Sequence, residues 1–546
     1  MNRKHPFLCG LSACLAGSAG LMVQAAAPVP PNILIAFADD WGRLASAYAQ
    51  PAADGPGSLH ELVSTPNFDR VARDGVLFTQ AYVSSPSCTP CRSSLLSGQH
   101  FFRTGRGAIL LGRWESFIPS FPLLLRDQAH YHIGQSYKVW APGVPDDAPY
   151  GGDRYEYEQR GMNYHEFSQW ATHLIEDDGK SVEDAKQALY DEARGNFEDF
   201  LADRKDGQPF CYWWGPINTH RRWTAGSGKV LWGIDPDQLK GRVPDFMPDV
   251  PVVREDLADY MGEIEAFDAG VGVLLRKLEE IGELDNTLVI VSGDHGPPGF
   301  PRGKTNLYDF GTRVPLAIMM PKSWGHAGRV VNDFVSLPDL APTFLEVAGV
   351  GVPNVMTGRS LMNVLLSDGQ GLVDPVRDYV ISGRETHCLC RLENRPYPQR
   401  AIRVKDWLYI YNFKPDRWPE GDPVNLEEGE SPSFEVLSTD TFATFADVDA
   451  SPSKAFLVRN RGNREVDGAR YFGLAFGKRP KEELFYIPDD PWTMNNVANL
   501  PENQEIKKTL HDRLMSLLYE NADPRVLDGD NCVFEQEEYR RSYGSE

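Results

Sequence analysis

A cysteine, a proline and an arginine lie close together in the segment 88–98, which reads Cys-Thr-Pro-Cys-Arg-Ser-Ser-Leu-Leu-Ser-Gly. Pro90 presets the backbone for a first helical turn, so we expect a helix to start here. The free N–H groups of that turn and the positive end of the helix dipole would then point toward the side chain of Cys88. Arg92 adds a permanent positive charge. This combination suits attack on an anion, and Cys88 and Arg92 are candidate catalytic residues.

Acidic residues follow two apolar segments of the chain. The run 31–40 ends in Asp39 and Asp40, and the run 287–296 carries Asp294 and His295 near its end. Such runs are typical of buried central strands, and open α/β sheets bind ligands at the carboxyl ends of their strands. Three acids gathered at one point would raise one another's pKa unless a divalent cation lay among them. The pattern therefore predicts a metal site, although Asp39-Asp40 taken alone, or Asp294-His295 taken alone, is better explained by capping of a turn or helix.

Helix and strand patterns alternate as far as about residue 366. We expect helices over 65–76, capped by Thr65, over 196–204 and over 254–281, and a buried strand over 209–215 that leads into a loop. This alternation predicts an α/β fold: a large mixed, mostly parallel sheet sandwiched by helices.

The pattern changes beyond residue 366. Short strand-like runs over 400–404 and 407–411 are separated by turn-rich segments, and a long helix is expected over about 502–519. We predict a signal peptide over 1–27, a catalytic α/β domain over 28–375 and a smaller C-terminal α+β subdomain with a short antiparallel sheet over 376–546.

The composition limits the partners. The chain has 546 residues and a formal net charge of −22, so we expect no binding of nucleic acid or anionic lipid through the general surface. Arg3 and Lys4 precede an apolar stretch and small residues near Ala27, the pattern of a secretion signal, so we expect a secreted or periplasmic protein. A lipoprotein modified at Cys14 is the less favoured alternative. No later segment has the composition of a membrane span.

The order of these motifs resembles the sulfatase family. After the strand that ends in Asp-Asp come Cys-x-Pro-x-Arg at 88–92, Gly-Asp-His-Gly at 293–296, Lys304, and Tyr-Asp-Phe-Gly-Thr-Arg-Val-Pro at 308–315. Asp-Leu-Ala-Pro-Thr at 339–343 and Gly-Arg-Ser-Leu at 358–361 complete the resemblance. It implies a formylglycine-dependent type I sulfatase with the fold of the alkaline phosphatase superfamily.

The resemblance also implies the chemistry. A maturation enzyme would convert Cys88 to formylglycine, whose hydrated aldehyde attacks sulfur with one hydroxyl and ejects sulfate with the other. The implied metal ligands are Asp39, Asp40, Cys88 as formylglycine, Asp294 and His295. We expect calcium, with magnesium as the alternative, although His295 stands where many members have asparagine and a nitrogen ligand suits softer ions. Arg92 would hold the diol and the metal environment, and Lys304 would neutralise charge on the sulfate oxygens.

Two further residues are carried over from the family pattern. His220, in Asn-Thr-His at 218–220, matches a histidine near the leaving group and is predicted to be a general acid or a sulfate ligand. Many members have Gly-Lys-x-His where this chain reads Ile-Gly-Gln-Ser-Tyr-Lys-Val-Trp at 133–140. Lys138 supplies the cation with a small shift in register, but no histidine follows it closely. The base for the second step is left open, and His132 is a poor substitute.

The substrate is expected to be a sulfated polysaccharide or oligosaccharide. Arg222, Glu385 and His387 are candidates for binding an acidic sugar, although structural roles explain them equally well. The segments 396–403 and 412–419 are similar to the branch that includes heparan N-sulfatases and sulfatases of marine polysaccharides. Three alternatives stay open: hydrolysis of phosphate or phosphonate esters, hydrolysis of N-sulfoglucosamine, and a sugar-binding protein in which Cys88 stays a thiol.

Overall fold

The computed structural model describes residues 30–49, 58–427 and 430–541, so the predicted signal peptide lies outside the described residues. In this part of the chain no helix combines the length and apolarity needed to cross a membrane. The strands are β1 Asn32–Ala38, β2 Val76–Tyr82, β3 His132–Tyr137, β4 Phe210–Gly215, β5 Thr287–Gly293, β6 Arg313–Met319, β7 Arg329–Val331, β8 Val335–Ser336, β9 Tyr379–Arg384, β10 Gln399–Val404, β11 Trp407–Asn412 and β12 Glu482–Tyr486.

Helices and short 3-10 turns connect the strands. The α-helices are α1 Pro66–Arg73, α2 Cys88–Ser97, α3 Phe121–Ala129, α4 Phe167–Glu176, α5 Val182–Asp203, α6 Ser227–Trp232, α7 Pro251–Glu280, α8 Asp309–Thr312, α9 Leu340–Val347, α10 Met362–Leu365, α11 Phe434–Thr439, α12 Pro452–Arg459, α13 Gly468–Phe476, α14 Gln504–Glu520 and α15 Pro524–Leu527.

The larger sheet has eight strands in the order β3-β4-β1-β5-β6-β2-β7, with β8 also paired to β2. The neighbours β3, β4, β1 and β5 run parallel, whereas β6 is antiparallel to β5 and to β2. Strands β1, β4 and β5 are buried along their whole length. The predicted α/β fold with a mixed, mostly parallel sheet is confirmed.

Both faces of this sheet are covered. Successive side chains of a strand point to opposite faces. Leu34 and Ala36 of β1 belong to a core shared with α1, α5 and α7, and Ile33 and Ile35 belong to a second core shared with α2, α3 and α9. Strand β1 is therefore held between two apolar layers, which fixes the position of its carboxyl end.

The second sheet is antiparallel, with four strands in the order β12-β11-β10-β9, and α14 packs against it. The strands expected over 400–404 and 407–411 are present as β10 and β11, and the expected long helix is α14. Strand β9 joins this sheet to the larger one, because Gly383 N–H donates to the carbonyl oxygen of Ser84 at 2.9 Å.

Two helix predictions were wrong in detail. The helix expected over 196–204 is only the end of α5, which has 22 residues and starts where the Ser181 hydroxyl accepts a hydrogen bond from a backbone N–H. The expected cap of α1, Thr65, makes no capping bond. Instead Asp268 of α7 accepts the backbone N–H groups of Asn67 and Phe68 at 3.1 and 2.7 Å. A carboxylate 200 residues away in the sequence replaces the local cap.

Candidate active site

The acidic residues predicted as metal ligands emerge side by side from two neighbouring strands. Strands β1 and β5 pair in register from Asn32 to Ala38, so the residues that follow each strand leave the sheet together. Asp40 N–H donates to Asp294 Oδ1 at 2.7 Å. Asp40 has a φ of 58°, in the left-handed region, which Asp tolerates better than most residues. This turn brings the Asp40 and Asp294 side chains to one point.

Cys88 reaches the same point from α2. The helix starts at Cys88 itself, not after it as we expected, so the side chain lies at the positive end of the helix dipole. Its Sγ is 3.5 Å from His295 Nε2 and 3.9 Å from Asp40 Oδ1. One ligand atom from each of Asp40, Cys88, Asp294 and His295 lies within 4.8 Å of the others. Asp39, Asp40 and His220 form a second such group.

This donor set fits a divalent cation. The candidate ligand carboxylates are buried. His295 Nε2 lies 3.3 Å from a carboxylate oxygen of Asp40 and 3.6 Å from one of Asp294, so the lone pairs of these atoms converge. Oxygen-rich ligand sets of this kind suit Ca²⁺ or Mg²⁺. The single imidazole nitrogen can bind either ion, but more weakly than a carbonyl oxygen would. The structure thus brings Asp40, Cys88, Asp294 and His295 together, and Asp39, the fifth residue predicted to hold the metal, lies in the adjoining group with Asp40 and His220.

Arg92 joins two of the carboxylates. Its Nη2 donates to Asp39 Oδ1 at 2.9 Å and its Nε to Asp294 Oδ2 at 2.8 Å. The remaining nitrogen, Nη1, donates to the backbone carbonyl oxygens of Lys138 and Val139 at 3.1 and 3.0 Å. Since its side chain has no exposed surface, Arg92 acts as a buried clamp that sets the spacing of the ligand carboxylates.

Two lysines complete the charge balance. Lys138 Nζ lies 2.8 Å from a carboxylate oxygen of Asp39, and Lys304 Nζ donates to Asp40 Oδ2 at 3.0 Å. Three candidate ligand carboxylates and Asp449, which lies 3.3 Å from Lys304 Nζ, therefore face three permanent cations. A divalent ion bound among them would make the site positive overall, and a positive cavity favours an anion such as a sulfate ester.

The charges of these groups follow from their neighbours. Burial by itself raises the pKa of Asp39, but Lys138 and Arg92 hold this pKa well below its usual range. Burial raises the pKa of Asp294, and the Asp39 carboxylate adds to this while His295 opposes it. Asp39 therefore stays ionised, and a cation bound at the site would favour the ionised form of Asp294.

The thiol form of Cys88 suits this place poorly. Burial raises the pKa of Cys88, and the Asp39 carboxylate raises it further. A protonated thiol is a weak nucleophile. Cys91, the second cysteine of the Cys-x-x-Cys spacing, donates to the carbonyl oxygen of Asp294 at 2.8 Å, and all six cysteines in the described ranges are free. The Cys91 thiol thus ties α2 to the residue that follows β5.

His220 lies at the edge of the cluster on an anchored loop. Its Nε2 is 3.8 Å from Asp40 Oδ2, and its Nδ1 donates to the carbonyl oxygen of Arg221 at 2.6 Å. The preceding residues hold the loop: Thr219 donates to the carbonyl oxygen of Asp39, and Asn218 donates to the backbone of Glu263 at 2.7 Å. The ring therefore presents Nε2 to the cavity.

The histidine missing after Lys138 is not replaced by His132. That residue begins β3, at the opposite end of the strand from Lys138, and its Nε2 bonds to the carbonyl oxygen of Phe200. A different histidine, His165, lies near Lys138: its Nδ1 accepts the backbone N–H of Ile217 at 3.1 Å and its ring packs on Tyr137 at 4.7 Å. His165 lies in a 3-10 turn, and no motif in the sequence marked it.

The three residues predicted to bind the substrate lie in different parts of the structure. His387 Nδ1 lies 2.8 Å from the hydroxyl oxygen of Ser87, directly beside the nucleophile helix. Arg222 is exposed on the loop after His220. The prediction for Glu385 is wrong, because its buried carboxylate forms salt bridges with Arg400 at 2.9 Å and with Arg525 at 2.6 Å. Its side chain holds the second sheet to the C-terminal helices instead of facing a ligand.

Buried carboxylates, a helix-terminal nucleophile position and balancing cations at the edge of an α/β sheet are typical of hydrolases of anionic esters. The sulfatase family model matches residues 31–350, and the chain belongs to this family of sulfuric ester hydrolases. A human N-sulphoglucosamine sulphohydrolase is 27% identical over 525 residues, 93% of each chain. An ulvan-active sulfatase of Formosa agariphila is 24% identical over 91% of this chain and 76% of its own.

Solved structures share the fold. A protein described in complex with its substrate D-glucosamine-2-N,6-O-disulfate has a TM-score of 0.58 at 18% identity, covering 92% of this chain and 99% of its own. A phosphonate monoester hydrolase of Agrobacterium radiobacter also has a TM-score of 0.58 at 18% identity, covering 90% and 96%. These likenesses establish an alkaline phosphatase-like fold.

Proposed function

We propose that the protein removes sulfate from a sulfated polysaccharide or oligosaccharide, with Cys88 matured to formylglycine and a divalent cation held by Asp39, Asp40, Asp294 and His295. The observation that carries this proposal is the convergence of Cys88, Asp40, Asp294 and His295, whose ligand atoms lie within 4.8 Å of one another, beside Asp39 and three cations. The relatives named N-sulphoglucosamine sulphohydrolase and N-acetylglucosamine-6-O-sulfatase support a sugar substrate. We also propose secretion or a periplasmic location, which rests on the first 27 residues.

The chain's own side chains have distinct roles in this proposal. Formylglycine and the cation together would supply a hydroxyl nucleophile and a Lewis acid. Lys304 offers its ammonium to the sulfate oxygens and stabilises the negative charge that develops on them. Burial lowers the pKa of Lys304, but the Asp40 and Asp449 carboxylates raise it further than burial lowers it. The pKa of Lys304 therefore lies well above its usual value, and this positive charge is permanent. His220, when protonated, gives a proton from Nε2 to the leaving oxygen.

Hydrolysis of an N-sulfated glucosamine is the second candidate, favoured by the human relative that matches 93% of this chain. A panel of glucosamine N-sulfate, glucosamine 6-sulfate and an aryl phosphate separates the possibilities. Turnover of the aryl phosphate above that of every sulfate would favour the phosphate or phosphonate alternative, since sulfate and phosphate are isosteric.

The central test is the chemical state of residue 88. In protein produced with a formylglycine-generating enzyme, mass spectrometry of the peptide that contains Cys88 should show the aldehyde in place of the thiol. Cys88→Ala should abolish turnover and leave the circular dichroism spectrum unchanged. Cys211→Ala, the same truncation in β4, is the control and should keep turnover. An active enzyme with an unmodified thiol, or an active Cys88→Ala variant, would refute the proposal.

A further inference from the structure

Asp449 reaches the candidate active site from the C-terminal part of the chain, on the segment between α11 and α12. Its Oδ2 lies 3.3 Å from Lys304 Nζ, the same ammonium that donates to Asp40 at 3.0 Å. The side chain is 16% exposed, and Oδ2 itself is buried and accepts no hydrogen bond from any residue in the described ranges. A carboxylate oxygen with free lone pairs therefore lies next to the proposed sulfate-binding lysine.

The segment that carries Asp449 is held firmly. Two residues earlier, the carboxylate of Asp447 is saturated by Arg384, Arg391 and the backbone N–H of Cys388. Lys454 Nζ donates to three backbone carbonyls of the segment, and the Ser451 hydroxyl donates to the carbonyl oxygen of Gly299 at 2.7 Å. Asp449 is thus preorganised, and Lys304 is its one charged partner in the described ranges, whereas Asp447 has two arginines and a backbone N–H.

The charge of Asp449 restricts what can bind it. Burial by itself raises the pKa of Asp449, but Lys304, His220 and His387 hold this pKa below its usual range. The carboxylate is therefore ionised. An ionised carboxylate only accepts hydrogen bonds, and it repels sulfate oxygens. A partner must therefore be a donor on the part of the substrate that leaves.

We propose that Asp449 recognises the sugar by accepting a hydrogen bond from an N–H or O–H group at or next to the scissile sulfate. This inference rests on the proposed function and defines its substrate class: saccharides that carry a donor beside the sulfate. The N–H of a sulfamate and the hydroxyl next to a sulfate ester offer the same chemistry. An aryl sulfate lacks such a donor.

The test compares sugar and aryl substrates. For Asp449→Ala we expect kcat/KM for glucosamine N-sulfate or glucosamine 6-sulfate to fall by at least about tenfold, and kcat/KM for 4-nitrophenyl sulfate to change by less than about threefold. A loss confined to the N-sulfate identifies the sulfamate N–H, and a loss confined to the 6-sulfate identifies a hydroxyl. Asp440→Asn, an exposed acid of the neighbouring turn, is the control and should change neither.

Two results would overturn the inference. An equal loss on sugar and aryl substrates would mean that Asp449 only positions Lys304, and unchanged kinetics on both would mean that it contacts neither. Calorimetric binding of the sugar sulfates to Cys88→Ala, with and without Asp449→Ala, gives an answer that does not depend on turnover. Equal affinities would refute recognition by Asp449. Failure of the wild-type enzyme on every sulfate, the aryl sulfate included, would instead refute the proposed function.

Discussion

At the scale of single residues, Arg92 shows how a buried charge can be specified by geometry. Its guanidinium meets Asp39, Asp294 and two carbonyl oxygens with no exposed surface. A lysine could keep the charge, but its ammonium cannot span two carboxylates with a planar fork. Removing the charge would leave two buried carboxylates with less compensation, which is far more costly than losing a surface ion pair.

We therefore predict that Arg92→Met lowers the free energy of unfolding of the metal-free protein by about 3–5 kcal/mol, and that Arg92→Lys recovers only part of the loss. Urea denaturation followed by circular dichroism measures both. Arg73→Met is the control: Arg73 is 66% exposed beside Asp74, and its loss should cost less than about 0.5 kcal/mol. An Arg92→Met variant as stable as the wild type would contradict the stabilising role of Arg92 between the carboxylates of Asp39 and Asp294.

At the scale of elements, the 30-residue helix α7 supports the site along one face. The hydroxyl of Tyr260 donates to the carbonyl oxygen of Asp40 at 2.9 Å. One helical turn further on, Glu263 accepts hydrogen bonds from the Asn218 side chain at 3.1 Å and from the backbone of Ser168 at 3.3 Å. The helix thus fixes both the turn that carries the candidate metal ligands and the loop that carries His220.

Glu263 makes stability depend on pH. Burial raises its pKa from 4.5 to about 7, so the native state binds this proton more tightly than the unfolded state does. The contribution to stability is complete below the unfolded pKa and is lost as the pH rises through the folded pKa. Relative to Glu263→Gln, the wild-type free energy of unfolding should fall by about 1–3 kcal/mol between about pH 5 and about pH 8.

Urea denaturation at several pH values measures this difference. The control is Glu176→Gln at the exposed end of α4, whose curve should run parallel to that of the wild type. If the Glu263→Gln curve also ran parallel, the buried proton would have no effect on folding.

At the scale of the whole molecule, the candidate metal site is assembled from segments that only folding brings together. Asp40, Cys88 and Asp294 come from three distant parts of the chain. A site that does not exist in the unfolded chain couples cation binding to folding. Saturating cation should therefore stabilise the native state by mass action, by about 2.7 kcal/mol at a hundredfold excess over Kd.

We predict that adding CaCl2 to chelator-treated protein raises the Tm, that MgCl2 has a smaller effect, and that Asp294→Asn loses most of the increase. Differential scanning calorimetry measures the shift within each variant, so any change in basal stability cancels. Asp285→Asn, which changes an exposed acid paired with Lys322, should respond like the wild type. A wild-type protein that calcium leaves unchanged, or an Asp294→Asn variant with the full shift, would contradict the metal site.

Features of this protein that depend on local pattern can be read from the amino-acid sequence. Continuous apolar runs predicted β1, β4 and β5, and the acids after β1 and β5 had to meet because parallel neighbours end at one edge of a sheet. Pro90 predicted the helix that is present as α2, although the helix begins earlier than expected, at Cys88 itself.

How distant segments fill the site depends on the packing of the folded chain. It paired Glu385 with two arginines, set His132 at the far end of its strand, and brought His165 and Asp449 beside Lys138 and Lys304. These placements depend on how loops pack across the faces of two sheets, and no periodicity or propensity encodes that packing. Local physics fixes where a strand ends, whereas the shared burial of remote segments selects the side chains that surround that end.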